Sequence, residues 1–83
     1  MDHILIKLYV PAIDTSYDIK IPVFLPIMDI TQLLAQAVEN LSNGEYVSSG
    51  SEILSVKNKQ LVLFNDQTPA DYEIKNGDVL MMM

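Results

Sequence analysis

The 83-residue sequence predicts an α+β fold in which one helix packs across one face of a mixed sheet, in the order β-β-α-β-β-β. Three observations carry that expectation. Apolar residues alternate with period two at the start of the chain, a single stripe of period 3.6 occupies its middle, and short apolar runs separated by turn residues fill its second half.

The first strand is read over 4–10. Ile4, Ile6, Leu8 and Val10 share one face, with Leu5, Lys7 and Tyr9 on the other. Pro11 stops it, and Asp14, Thr15 and Ser16 supply turn chemistry. A second strand over 17–23 places Tyr17, Ile19, Ile21 and Val23 inward and Asp18 and Lys20 outward. Pro22 has no N–H to give a ladder, which predicts that this strand lies at a sheet edge. Together the two strands form an opening hairpin.

The helix is expected after Pro26. Asp29 is read as its N-cap, with Gln32 completing a capping box and Met28 and Leu33 placed as a hydrophobic staple. Ile30, Leu33, Leu34, Ala37, Val38 and Leu41 make one stripe at helical spacing, with Thr31, Gln32, Gln36, Glu39 and Asn40 on the wet face. Asn43 and Gly44 end the helix. The segment 42–51 reads as a mobile Ser/Gly-rich loop that Tyr46 and Val47 tuck down in part. Short strands follow over 53–56 and 61–64, joined by a turn at Lys57-Asn58-Lys59 in which Asn58 tolerates a positive φ. An irregular stretch over 65–76 holds a 3₁₀ turn near Ala70-Asp71-Tyr72, and the last strand is Val79 to Met83. A long hairpin, one helix and a final strand running parallel to the first, with the helix as crossover, define a β-grasp.

Length and composition bound the function. Eighty-three residues make one domain, 1–83, that buries roughly 60–65% of its unfolded surface and has little room for a deep pocket. Apolar residues make up 49% of the chain, enough for a core despite a net charge of -6. Eleven acidic residues stand against five lysines and no arginine, so nucleic acid and anionic membrane surfaces are disfavoured partners. With no cysteine there is no disulfide, thiolate metal site or thiol chemistry. No run is long and apolar enough for direct membrane insertion, and the start of the chain lacks the basic and hydrophobic regions of a leader, so a cytoplasmic address is expected.

A resemblance sharpens this picture. The segment from Asp71 to Leu80 is similar to the Asp-Tyr-x-Ile stretch before the last strand of ubiquitin. More narrowly, Tyr17-Asp18-Ile19, Phe24-Leu25-Pro26-Ile27 and Ile74-x-x-Gly77-Asp78-x-Leu80 resemble the YukD/EsaB family, ubiquitin-like proteins of Gram-positive type VII secretion systems. The resemblance covers nearly the whole chain, and its motifs are structural. It implies a cytoplasmic accessory or regulatory component, peripheral to a membrane secretion complex, whose partner is the membrane ATPase or another secretion component.

The candidate chemistry is sparse. Conjugated modifiers and sulfur carriers end in a flexible Gly-Gly tail, whereas this chain ends in Met81-Met82-Met83 and Gly77 precedes the strand, so a non-conjugated protein is expected. His3 is the only histidine and has no nearby partner for catalysis. Asp66, Asp71, Glu73 and Asp78 form a loose acidic group suited to turns and capping, to a basic partner, or to Ca²⁺, although their spacing matches no EF-hand loop. No catalytic, cofactor or metal site is therefore expected. The sharper expectation is a binding surface. Leu5, Tyr9, Ile53, Val62, Val79, Met81 and Met83 are placed together on the sheet face opposite the helix, where methionine adapts to varied partners. Such a patch would dock a protein partner, bury itself in a homodimer, or lie beneath the 42–51 loop.

Overall fold

The computed structural model describes residues 2–57, 59 and 61–83. Its elements are β1 (His3–Val10), a 3₁₀ turn (Pro11–Ile13), β2 (Thr15–Pro22), α1 (Ile27–Leu41), β3 (Leu54–Val56), β4 (Leu61–Val62), a second 3₁₀ turn (Pro69–Tyr72) and β5 (Val79–Met82). The strands form one sheet in the order β2-β1-β5-β3-β4. Strands β1 and β5 run parallel, and the other neighbours are antiparallel. This is the β-grasp that the element order predicted.

The hairpin follows its alternation. Ile6, Leu8 and Val10 are buried towards α1, while Leu5 and Lys7 are exposed behind the sheet. The chain reverses through Asp14, which takes a left-handed conformation at φ 49° and donates its N–H to Pro11 O. A short polar side chain tolerates that conformation better than a branched one. Strand β2 is an edge, as Pro22 required. The N–H of Val23 donates to Asp2 O, so odd-numbered residues of β2 bond to β1. Ser16, Asp18, Lys20 and Pro22 therefore aim their backbone groups off the edge, and the donor missing from Pro22 falls on the solvent side.

The helix begins at Ile27, directly after Pro26 as expected, but its cap is not Asp29: the capping position is Pro26, which makes no side-chain cap. Its first N–H groups are satisfied from far along the chain: Ile27 donates to Gln67 O at 2.7 Å and Met28 to Asn65 O at 3.2 Å. Asp29 lies in the first turn, where its charge favours the positive end of the helix dipole. Met28 and Leu33, expected as a staple, are about half exposed. The buried stripe is Ile27, Ile30, Thr31, Leu34, Ala35 and Val38, rotated from the expected one so that Leu33 and Leu41 stay bare. Thr31, expected on the wet face, is buried with its hydroxyl donating to Ile27 O at 2.7 Å. The stop falls as expected: Asn43 and Gly44 have positive φ, and Gly44 N–H donates to Glu39 O.

The loop after α1 is tied down more fully than its composition suggested. Tyr46 joins the core, and its hydroxyl donates to Glu52 Oε2 at 2.7 Å. The same carboxylate accepts from Ser49 and Gly50 N–H, and Glu39 accepts from Ser48 N–H. Val47, by contrast, is exposed. Strands β3 and β4 are shorter than expected, although Leu63 N–H still donates to Leu54 O beyond the end of β4. The expected role of Asn58 in the intervening turn lies outside the described residues. The second 3₁₀ turn is closed by a capping box between Thr68 and Asp71, and Tyr72 OH accepts from Phe64 N–H at 2.8 Å.

Leu8, Val38 and Leu80 are fully buried at the centre of the core. Each such side chain contributes on the order of 1.5–3 kcal/mol by leaving water. Among the described residues, every buried side-chain N or O has a hydrogen-bond partner.

Candidate functional site

The sheet face opposite α1 carries the candidate surface. Residues paired across neighbouring strands point to the same side, so the register lines up Tyr9, Met81, Ser55 and Val62 in one row across four strands. One step along, Ile53 and Met83 exchange both backbone hydrogen bonds at 2.7 and 2.9 Å and stand side by side. On the other side of the row, Val79 lies between Lys7 and Lys57. Ile53, Val62 and Met83 are more than half exposed, while Tyr9, Val79 and Met81 are half-buried by their neighbours.

Leu5 stands apart. It pairs with Lys20 on β2 and lies four residues, about 13 Å, along β1 from Tyr9. Lys7 intervenes, and Leu5 borders a separate shallow depression with Lys20 and Asn76. Asn76 reaches back to accept Leu5 N–H at 2.7 Å, and Gly77, at φ 88°, donates its N–H to Leu5 O. This corner is held by the turn into β5 and is not continuous with the methionines.

Tyr9 is the fixed point of the row. Its hydroxyl donates to Asp14 Oδ1 at 2.8 Å, and Lys57 Nζ lies 4.8 Å from the ring centroid. The hydrogen bond to the Asp14 carboxylate raises the phenol above its ordinary pKa, with burial and the nearby charge adding to it. The ring is thus tied at its hydroxyl to Asp14 and carries Lys57 over its face, beside the unbranched side chain of Met81.

The surface extends further than the sequence suggested. Ile53 and Val62 also border a groove of about 350 Å³ that turns past β4 towards the start of α1, where Met28, Thr31, Leu63 and Phe64 line it. Phe64 is 66% exposed and Met28 49%. Sequence reasoning assigned Met28 to a staple and Phe64 to a strand end, and so missed both. The signal was present for Phe64, since it lies two residues after Val62 and follows the same alternation.

Asp71 accepts Thr68 N–H, and Asp78 accepts Lys75 N–H, so both serve turns. His3 is exposed opposite Pro22 at the end of the hairpin. Among the described residues, no group of three or more His, Asp or Glu could hold a metal ion, and no helix is long and apolar enough to cross a membrane.

Comparison with known proteins now identifies the family. Residues 5–82 match the family described as the WXG100 protein secretion system (Wss), protein YukD. The chain belongs to the YukD family. Type VII secretion is thus the setting in which its fold and surface are to be read. No curated protein matches. Among solved structures, the chain superposes in full on part of a chain from the MycP5-free ESX-5 inner membrane complex, State II, with a TM-score of 0.82 at 13% identity, and spans 21% of that chain. It also superposes in full on the solution NMR structure of a ubiquitin-like domain from an Arabidopsis thaliana protein, with a TM-score of 0.74 at 12% identity over 78% of that chain. Likeness at such identity establishes the ubiquitin-like fold alone.

Proposed function

We propose that this YukD-family protein acts as a non-conjugated ubiquitin-like adaptor of a type VII secretion system, working by protein binding and not by catalysis. The observation that carries the reading is the row of half-buried Tyr9 and Met81, buried Ser55 and exposed Val62 on the open face, with the exposed Ile53–Met83 pair beside it. The 42–51 loop is tied down by Tyr46, which enters the core, and by Glu39 and Glu52, which hold the backbone beyond it; its last residues, Gly50 and Ser51, border the groove beside Ile53 and Val62. A surface of this kind is seldom left bare without a partner.

The partner is a component of the membrane-associated machinery, its membrane ATPase or a subunit near it. Support comes from the family's place in the secretion system and from the same fold recurring within a chain of an inner membrane complex. On this reading the protein sits at the periphery of its secretion complex, and no helix among the described residues is long and apolar enough to cross a membrane.

The test is a native pull-down of the tagged protein from its host lysate, with Met81→Asp and Ile53→Asp beside the wild type. A secretion component retained by the wild type and lost by both variants supports the adaptor and its surface together. Retention of the same component by folded Met81→Asp and Ile53→Asp would overturn the surface, and recovery of the protein alone would overturn the adaptor role.

A further inference from the structure

The uncovered edge of β2 carries an independent message. Ser16, Asp18 and Lys20 present both backbone groups outward, and Pro22 presents only its carbonyl. Asp18 and Lys20 point to the open face, while Tyr17 and Ile19 lie half-buried on the helix side. Beside them runs an apolar groove of about 200 Å³ between this edge and α1, lined by Ile19, Ile21, Ile30, Leu33, Leu34 and Ala37. The short side chain of Ala37 leaves the groove open, and half-exposed Leu33 forms its rim.

Charge decides what fits there. Suppose two copies pair antiparallel through β2 about a two-fold axis at Ile19. Asp18 then faces Lys20 of the second copy, and Lys20 faces its Asp18. Each pair makes two backbone hydrogen bonds, and Ser16 donates to the carbonyl of Pro22 at either end. Because Lys7 already neighbours Asp18 on β1, the signs alternate along the row: Lys7, Asp18, then Lys20 of the second copy. Sliding by one pairing step in either direction centres the axis on Asp18 or on Lys20 and sets like charges against each other. A slide by half a step fails because the backbone groups of Ile19 are already engaged by β1. Charges and Pro22 blunt this edge towards strands in general, but Asp18 and Lys20 are self-complementary in one register and repulsive in the adjacent ones. On the helix side, that register brings Ile19 against its own copy and Tyr17 against Ile21, closing the groove beside Leu33.

We infer that the β2 edge is a self-association surface, joining two copies through Asp18–Lys20 pairs into one continuous sheet with both helices on the same side. The Tyr9–Met81 surface remains open in such a dimer, so this inference does not rest on the adaptor reading.

Sedimentation equilibrium from about 10 μM to 1 mM tests it. The expected mass rises from one copy to two across this range, with association weakened by added salt. Asp18→Lys and Lys20→Asp each leave the chain monomeric at concentrations where the wild type is dimeric. An equimolar mixture of these two variants recovers the dimer, because each charge then meets its opposite. The double variant Asp18→Lys/Lys20→Asp recovers it too. Amide exchange of the wild type, which needs no substitution, shows Ser16, Asp18 and Lys20 gaining protection with concentration. A monomer throughout, single variants that dimerise like the wild type, or concentration-dependent protection confined to Ser55 and Met81 would each overturn the inference.

Discussion

Aspartate substituted at Met81 or at Met82 tests the strand register, and with it the whole surface. Met82 is 1% exposed and lies opposite Leu54 on the helix side. Removing its side chain costs about 2–5 kcal/mol. The replacement carboxylate would sit among apolar side chains. The buried hydroxyls of Thr31 and Tyr46 are already committed, to Ile27 O and to Glu52. Keeping the new carboxyl neutral at pH 7 costs about 4 kcal/mol, at 1.36 kcal/mol for each unit above an ordinary aspartate. The sum, about 6–9 kcal/mol, rivals the roughly 4–12 kcal/mol expected for a domain of this length. Met82→Asp should therefore be largely unfolded at room temperature. Met81 is half-buried between Tyr9 and Ser55, and the same change there should cost about 1 kcal/mol, a fall in thermal midpoint of about 4–8 °C. Circular dichroism melts of the two variants read the difference directly. Equal melting behaviour, or a folded Met82→Asp beside an unfolded Met81→Asp, would refute the register and the surface built on it.

Leu5→Asp should leave partner capture intact where Met81→Asp abolishes it, since Lys7 separates Leu5 from the row; comparable loss in a pull-down would mean that the surface reaches that corner. The phenol of Tyr46 is pushed up to about 12, by burial first and then by its hydrogen bond to Glu52. A folded-state pKa above the unfolded value gives stability that is complete below about pH 10 and lost as pH rises towards 12. Urea melts across that window should show a loss that Tyr46→Phe lacks, and phenolate absorbance should show a late-titrating component that Tyr46→Phe removes. Burial pushes the Glu52 carboxyl up, but hydrogen bonds from Tyr46 and from backbone N–H groups prevail and hold it below its ordinary value. Its contribution is therefore present above about pH 4.5 and lost as pH falls below it, so acid titration of stability should be shallower in Glu52→Gln. Asp71→Ala, which opens the capping box with Thr68, should cost about 1 kcal/mol in a urea melt and leave partner capture unchanged; loss of capture in a folded variant would give the acidic group a binding role.

Much of the fold was legible because its signals are local. The alternation of Ile6, Leu8 and Val10 with Leu5 and Lys7 reports a strand whatever it pairs with, and Pro22 announced an edge because a missing donor has few other places to go. The cap of α1 was misassigned to Asp29 because the groups that satisfy the first turn are not local. Asn65 and Gln67 supply the carbonyls, some forty residues away, so no side chain near Asp29 was needed for the purpose. The buried stripe was rotated for a related reason. Its orientation depends on what the helix packs against, and burial of Thr31 is tolerable only because its hydroxyl turns back to Ile27 O.

The candidate surface divides along the same line. By itself the sequence determined which side of each strand a residue occupies, because side-chain direction follows from backbone geometry one residue at a time. It therefore put Leu5, Tyr9, Ile53, Val62, Val79, Met81 and Met83 on the open face. Only the tertiary structure decided how far along that face each one lies. Register is a relation between strands distant in the chain, and it set Tyr9 beside Met81 but left Leu5 about 13 Å away. It also decided that Phe64 and Met28 flank the face, and that Asp18 and Lys20 line a bare edge where their opposite charges can find a match in a second copy.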